Sequence, residues 1–222
     1  GTILLQQGHN EFIEKYYEVI SEFLARGFAV IAFDWRGQGL SERNIQETER
    51  AYVKDFSFHD SDLNFILNKI IRPRFPQPLI GVGHSMGGCL MLSALKNNPK
   101  IFNSAILSSP MCGFRNEKLL MAMISLSNIF FDSKSFLIGS KPNMGNETPF
   151  ENNDLTTDIH RYKRTQKLVR KKPILRHWGI TVAWANAVKK RLEQIKKENW
   201  VESIEERVLI LNAVNDRVIH ST

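Results

Sequence analysis

The sequence is short of cysteine and has no long apolar run. Only Cys89 and Cys112 occur among its 222 residues. Two thiols do not make a disulfide framework, so a reducing, cytoplasmic setting is expected. No apolar stretch is long enough to span a bilayer. No His/Cys/Asp cluster has metal-ligand spacing, and neither a P-loop nor a G-x-G-x-x-G is present. No metal and no nucleotide cofactor is therefore expected. Zinc-finger spacing, RNP-type motifs and basic helices interleaved with aromatics are also missing, which argues against a nucleic-acid partner. There are no internal repeats. The first residue is not Met, and a strand-like run opens at Thr2. The chain is therefore expected to be a piece of a longer protein.

What is present suits one α/β domain with an inserted lid. Hydrophobic residues make up 42% of the chain, enough for a sizeable core. The formal net charge is +7, which favours an anionic membrane surface over other partners, with a lysine-rich solvated surface as the plainer account. The most informative stretch is Gly83-His84-Ser85-Met86-Gly87. The apolar run Leu79–Val82 before it reads as a buried strand, and Gly88–Asn97 after it reads as a helix. Strand, sharp turn and helix are the context in which G-x-S-x-G acts as a nucleophile elbow. Gly83 and Gly87 leave room for a tight backbone, Ser85 is pushed out at a helix N-terminus, and the Met86 N–H faces an oxyanion formed on Ser85.

Strands and helices alternate through the rest of the chain. Strand-like runs are Thr2–Gln7, Phe28–Phe33, Phe102–Leu107 and Arg207–Leu211, with Phe28–Phe33 expected as a central strand buried on both faces. Helices are expected over Glu11–Arg26, with Phe12, Tyr16, Val19, Ile20, Phe23 and Leu24 on one apolar face, over Asp60–Ile71, and over Thr181–Lys197. Residues 111–177 break the alternation. Leu119–Phe131 is apolar almost all round, 132–153 is loop-like, and Thr157–Arg170 is a basic helix with Asp154 and Thr156 as candidate caps. The expected division is a core over 1–110, an inserted lid over 111–180, and the second part of the core over 181–222. Alternation of this kind implies a doubly wound, mostly parallel sheet with right-handed crossovers. Ligands bind beyond the carboxyl ends of such strands, and His9, Asp34, Ser85, Pro110 and Asp216 all follow strand ends.

Four stretches together resemble the α/β-hydrolase family, in the branch that holds monoacylglycerol lipases and lysophospholipases of the L2 type. They are Gln7–Tyr16, Asp34–Ser41, Gly83–Gly88 and Leu209–Val218, in family order. A weaker likeness to the L2-type lid lies in Asn153–Asp158 with Arg161 and Tyr162. The resemblance implies a serine esterase acting on a lysophospholipid or monoacylglycerol. Ser85 matches the nucleophile and Asp216 the triad acid. His9 matches the second oxyanion donor, through its backbone N–H, beside that of Met86. Leu119–Phe131 is the candidate acyl-chain wall, with simple lid packing as the alternative. The basic run Arg161, Lys163, Arg164, Lys167, Arg170, Lys171, Lys172 and Arg176 would face lipid phosphate, or else only solvent. The Asp34–Ser41 loop is expected to be structural.

Two departures stand out. Gln7 replaces the family's His before Gly8, which a backbone contact tolerates. The base follows the acid in family order, yet only His220 follows Asp216, four positions on. The chain is thus expected to end before its base and to begin after the sheet's first strands, with His220 as the alternative base. Of the other histidines, His84 is expected to be packed in the elbow, and His59, His160 and His177 to lie at the surface. A degenerate, non-catalytic lipid-binding hydrolase fold and a peptidase of the same fold remain as other readings. Dehalogenases and epoxide hydrolases are disfavoured, since they need Asp where Ser85 stands.

Overall fold

The computed structural model describes residues 1–140 and 149–220. The elements run β1 (Thr2–Gln6), α1 (Tyr17–Ala25), β2 (Ala29–Ala32), β3 (Arg50–Ala51), α2 (Ser57–Ile66), α3 (Arg72–Arg74), β4 (Leu79–His84), α4 (Met86–Asn97), β5 (Ser104–Ser108), α5 (Glu117–Phe130), α6 (Ile159–Lys171), β6 (Gly179–Ile180), α7 (Val182–Ile195) and β7 (Arg207–Leu211). Five strands pair in parallel in the order β2-β1-β4-β5-β7. A second, two-stranded sheet joins β3 to β6. Parallel pairing with helical crossovers matches the expected α/β class.

The core forms where the sheet is covered on both sides. β4 lies at the centre of the sheet, and α4 runs back over it with every residue from Met86 to Leu95 buried. That explains why this helix is apolar all round rather than on one stripe. Leu90, Met91 and Leu95 are almost wholly removed from water, each worth about 1.5–3 kcal/mol of burial. They share one cluster with Leu63, Leu67 and Ile71 of the α2 segment and with Trp184, Val188 and Leu192 of α7.

Several elements differ from expectation. The Phe28–Phe33 run does not form a central strand. As β2 it is the sheet edge, and all four of its residues are only half-buried. Continuous apolarity measures how greasy a strand is, not where it lies in the order. The helix expected from Glu11 begins later. Asn10 has φ +58, Glu11 folds back to accept the Gly8 N–H at 2.7 Å, and a 3-10 turn over Ile13–Tyr16 precedes α1. Phe12 is buried outside any helix, whereas Val19 and Leu24 are exposed. The helix expected to stop at Ile71 continues to Arg74. It does so through a π-turn at Leu67–Ile71, in which the Arg72 N–H bonds to the Leu67 carbonyl, so that Pro73, which has no N–H to give, fits within it.

Between β5 and α7 lie α5, α6 and β6, the span expected as a lid. α5 buries only Ile124 and Ser127 and leaves Leu119, Leu126, Ile129 and Phe130 exposed. The cap of α6 is Asp158 rather than Asp154 or Thr156. Its carboxylate accepts the N–H groups of His160 and Arg161 at 2.8 and 3.1 Å. Thr156 instead accepts the Asp158 N–H. Part of the loop-like stretch 132–153 lies outside the described residues.

Candidate active site

Strand register brings the candidate residues to one edge. Gln6 pairs with Gly83, His84 with Ser108, and Ser108 with Leu211. The turns that follow β1, β4, β5 and β7 therefore leave the sheet side by side. They carry His9, Ser85, Ser109–Pro110 and Asp216 respectively.

Ser85 sits at φ +50, ψ −115, a backbone strained by about 1–3 kcal/mol for a residue with a side chain. The surroundings hold it there. Its N–H donates to the Ser108 carbonyl at 3.0 Å, and its carbonyl accepts from Cys89 at 3.1 Å and Met111 at 2.9 Å. The elbow glycines are required by contact. A Cβ on Gly87 would lie 2.4 Å from the Gln6 carbonyl oxygen, and one on Gly83 would lie 2.7 Å from the Gly87 oxygen. The first backbone is fixed in β1 of the sheet and the second in the opening turn of α4. Ser85 is half-buried and Met86, the first residue of α4, is fully buried. The Met86 N–H belongs to the unpaired first turn of that helix, where the dipole favours negative charge.

The β1 turn lies against the elbow. A Cβ on Gly8 would come within 3.1 Å of the Ser85 Cβ and 3.3 Å of the His84 ring. Glu11 is buried behind this turn. It accepts the Gly8 N–H, takes the Tyr16 hydroxyl at 2.5 Å and pairs with Lys15. Burial pushes the Glu11 carboxyl up, but the Lys15 and His84 charges and the Lys15 and Tyr16 hydrogen bonds outweigh it. The group stays below its ordinary value. The His84 ring packs beside β5, with Nδ1 3.1 Å from the Ser108 carbonyl.

The Asp34 loop is structural. Asp34 accepts from Gln7 Nε2 at 3.0 Å, the Ile13 N–H at 2.9 Å and the Leu40 N–H at 2.8 Å. Gln7 thus ties β1 to this loop. Trp35, wholly buried, donates to the Gln7 carbonyl at 3.2 Å.

Asp216 is half-exposed in the turn after β7. Its carboxylate accepts the Val218 and Ile219 N–H groups at 2.9 and 2.8 Å. Partial burial pushes its pKa up, yet these bonds and one from Ser109 bring the net shift below the ordinary carboxylate value. β7 is two strands from β4, about 10 Å at ordinary strand spacing. A side chain reaching between Asp216 and Ser85 must therefore bridge them. His220, exposed, donates its backbone N–H to the Gly113 carbonyl at 3.3 Å.

Two histidines expected at the surface are buried instead. His59 is 2% exposed between Trp35 and Phe56. His177 is 4% exposed, its ring centre 6.1 Å from that of His9. The His9 ring in turn packs at 4.1 Å on Trp184. Burial lowers His9 to about 4 and both His59 and His177 to about 3. All three are neutral imidazoles at neutral pH. Burial pushes both thiols up, Cys112 to about 11, so neither is a nucleophile there. Among the described residues, no group of three or more His, Cys, Asp or Glu side chains could hold a metal ion.

Two clefts lie under α5. One of about 220 Å³ is lined by Phe114, Leu120, Trp184 and Val188. The other, about 390 Å³, runs from His9 and His177 past Arg176 to Leu120, Met123 and Leu137. Ser85 lines neither, and the second reaches the site through His9. The sequence around Trp184 carries no site signal, and that around His177 points to the surface. Thr181 capping α7 through the Trp184 N–H at 3.2 Å is the one local signal that fixes where Trp184 lies.

The probable lysophospholipase L2 of Haemophilus influenzae is 27% identical over 219 residues, 98% of this chain and 68% of that protein. The lysophospholipase L2 of Escherichia coli is 26% identical over 185 residues, 82% of this chain and 54% of that protein. The chain thus spans between about half and two thirds of their length. Among solved structures, a soluble variant of monoglyceride lipase from Saccharomyces cerevisiae superposes with a TM-score of 0.71. It is 17% identical and covers 99% of this chain and 70% of its own. The profile of the family described as serine aminopeptidase, S33, matches residues 1–222. With this parallel sheet and its strand-turn-helix serine, the chain belongs to that family of α/β-hydrolases.

Proposed function

We propose that the protein is a serine carboxylic-ester hydrolase that cleaves the single acyl ester of a lysophospholipid or monoacylglycerol through an acyl-enzyme. The observation that carries the reading is Ser85, held at φ +50 at the N-cap of α4 with Gly8 packed against it. Ser85 Oγ attacks the ester carbonyl and gives its proton to a histidine base oriented by Asp216. The N–H groups of His9 and Met86 stabilise the oxyanion, one such donor being worth about 10²–10³ in rate. The alcohol leaves with the proton, and water then releases the fatty acid from Ser85. The names of the H. influenzae and E. coli relatives support the lysophospholipid, and the monoacylglycerol lipase of Mycolicibacterium smegmatis, 29% identical over 110 residues, supports the monoacylglycerol.

Residues 111–180 serve as the lid in this reading, with Leu120 and Met123 of α5 as the acyl wall. The basic face of α6 meets anionic lipid through Lys163, Lys167 and Lys171. Arg161 and Arg164 are already paired with Glu18 at 2.7 and 3.0 Å. No helix among the described residues is long and apolar enough to cross a membrane, and contact at the inner membrane face is peripheral. The two free cysteines support a reducing, cytoplasmic setting.

The test is Ser85→Ala in the full protein. Ester turnover and fluorophosphonate labelling should both vanish, with a fall of about 10⁴ or more in kcat. Substantial turnover by the alanine variant removes Ser85 from its role. His220→Ala, run beside it, decides whether His220 is the base. The family description favours one second reading, so aminoacyl anilides belong in the same assay. Their turnover in preference to esters would make the protein a peptidase.

A further inference from the structure

The N–H groups around His9 are all engaged except one. The Gly8 N–H goes to Glu11 Oε2 at 2.7 Å. The Gly8 carbonyl accepts from Gln38 Nε2 at 3.1 Å, and the Asn10 N–H donates to Gln38 Oε1 at 3.0 Å. The His9 N–H between them has no partner among the described residues. Gln38 is 4% exposed, so its amide competes with little water for these bonds. Its own place is fixed. Its N–H bonds to the Trp35 carbonyl at 2.9 Å, and Gly39, at φ +52, lies so close to Asp34 that a Cβ there would sit 2.1 Å from the carboxylate carbon.

We infer that Gln38 is a positioning residue for the oxyanion hole. Its amide bridges the two peptide groups that flank His9 and fixes the turn with the His9 N–H as the one donor left for substrate. The inference rests on the ester-hydrolase reading with His9 as a donor. The chemistry explains the residue type. The bridge needs one donor and one acceptor on a single planar group at this reach. A carboxylate would face the Gly8 carbonyl oxygen with a second acceptor. A methionine of similar volume would leave a buried carbonyl and a buried N–H unsatisfied. Gln38 touches no reacting atom, and it acts through the turn.

The experiment compares wild type, Gln38→Met and Gln38→Glu in the full protein. For Gln38→Met we expect kcat to fall about 10- to 100-fold, a fraction of the loss of a whole oxyanion donor. KM should stay within about twofold, since uniform binding is untouched. Affinity for an alkyl boronate, which forms a tetrahedral adduct on Ser85, should weaken by the same factor as kcat. Affinity for the free fatty acid should not change. For Gln38→Glu, activity relative to wild type at the same pH should rise severalfold as the pH falls from 8 to 5, because the protonated carboxyl restores a donor beside an acceptor. Amide exchange at Asn10 should quicken in Gln38→Met. Wild-type kcat and boronate affinity in Gln38→Met overturn the inference, as does a flat pH ratio in Gln38→Glu. If Gln38→Met does not fold, Gln38→Glu carries the test alone. If the wild type hydrolyses no ester, the ester-hydrolase reading fails by itself. Asn10 exchange then decides the clamp, and an unchanged rate in the variant overturns it.

Discussion

At the scale of single residues, the buried histidines set how the fold answers to acid. His59 and His177 are held neutral to about pH 3 and His9 to about pH 4, mainly by burial. Unfolded, each would take a proton near pH 6.5. Between those limits the unfolded chain binds more protons, so stability falls as the pH drops below 6.5 and the loss is complete near the folded values. Each histidine contributes a slope of about 1.4 kcal/mol per pH unit. Denaturant unfolding at pH 7, 6 and 5 should show this decline, and His59→Phe should remove about one proton from it. A stability independent of pH over that window would mean the rings are solvated. The elbow glycine makes a second prediction. Gly87→Ala forces a Cβ to 2.4 Å from the Gln6 oxygen and should cost about 1–3 kcal/mol or more, with ester turnover lost as Ser85 shifts. Unchanged urea midpoint and activity would show that the elbow can relax.

At the scale of elements, α7 is fixed to α2 by an ion pair between buried Arg191 and half-buried Asp60. Arg191 is 4% exposed and meets both oxygens of Asp60, at 3.3 and 2.5 Å. Its guanidinium also lies 5.8 Å from the centre of the Phe56 ring. Removing one partner strands the other charge, so Arg191→Ala should cost about 3–5 kcal/mol. Pairing Arg191→Met with Asp60→Leu should cost much less than the two single changes summed. Additive losses in that cycle would show the charges to be independent. Elements were legible in the sequence where local pattern decides them. The strand before Ser85, the apolar α4 and the β7 strand stand within a residue or two of where their sequences put them. The order of strands was not legible, because β2 is as apolar as β4 yet lies at the edge. β3 and β6 are two residues each, too short for any period to show. The burial of His59 and His177 depends on Trp35 and His9 arriving from elsewhere in the chain. Gln38 reads locally as one more polar residue between two glycines. The elbow serine could be read because its chemistry needs a local turn, whereas the clamp behind His9 is assembled from two loops.

At the scale of the whole molecule, the covered centre of the sheet contrasts with its margins. β4 and β5 are flanked on both sides and packed by α4, whereas β7 pairs only with β5. Leu209, Ile210 and Leu211 of β7 are each half or more exposed. Consecutive strand residues point to opposite faces, and among the described residues Val208 is the one β7 side chain that packs on the main core, so both faces of β7 are left largely open and its outer row of N–H and C=O groups has no strand beside it there. β2 closes the other side of the sheet with half-buried residues. An apolar, unprotected edge strand is a template for pairing with another chain. A protein made of these 222 residues alone should therefore self-associate as its concentration rises, and binding of a hydrophobic dye should report the exposed strand. A charge on the edge opposes strand addition, so Ile210→Lys should shift the elution volume toward the monomer and lower dye binding, while the unfolding midpoint moves little because Ile210 contributes half a buried side chain at most. A protein that stays monomeric at high concentration without the lysine would show that β7 is shielded in solution, and the edge would then carry no drive to assemble.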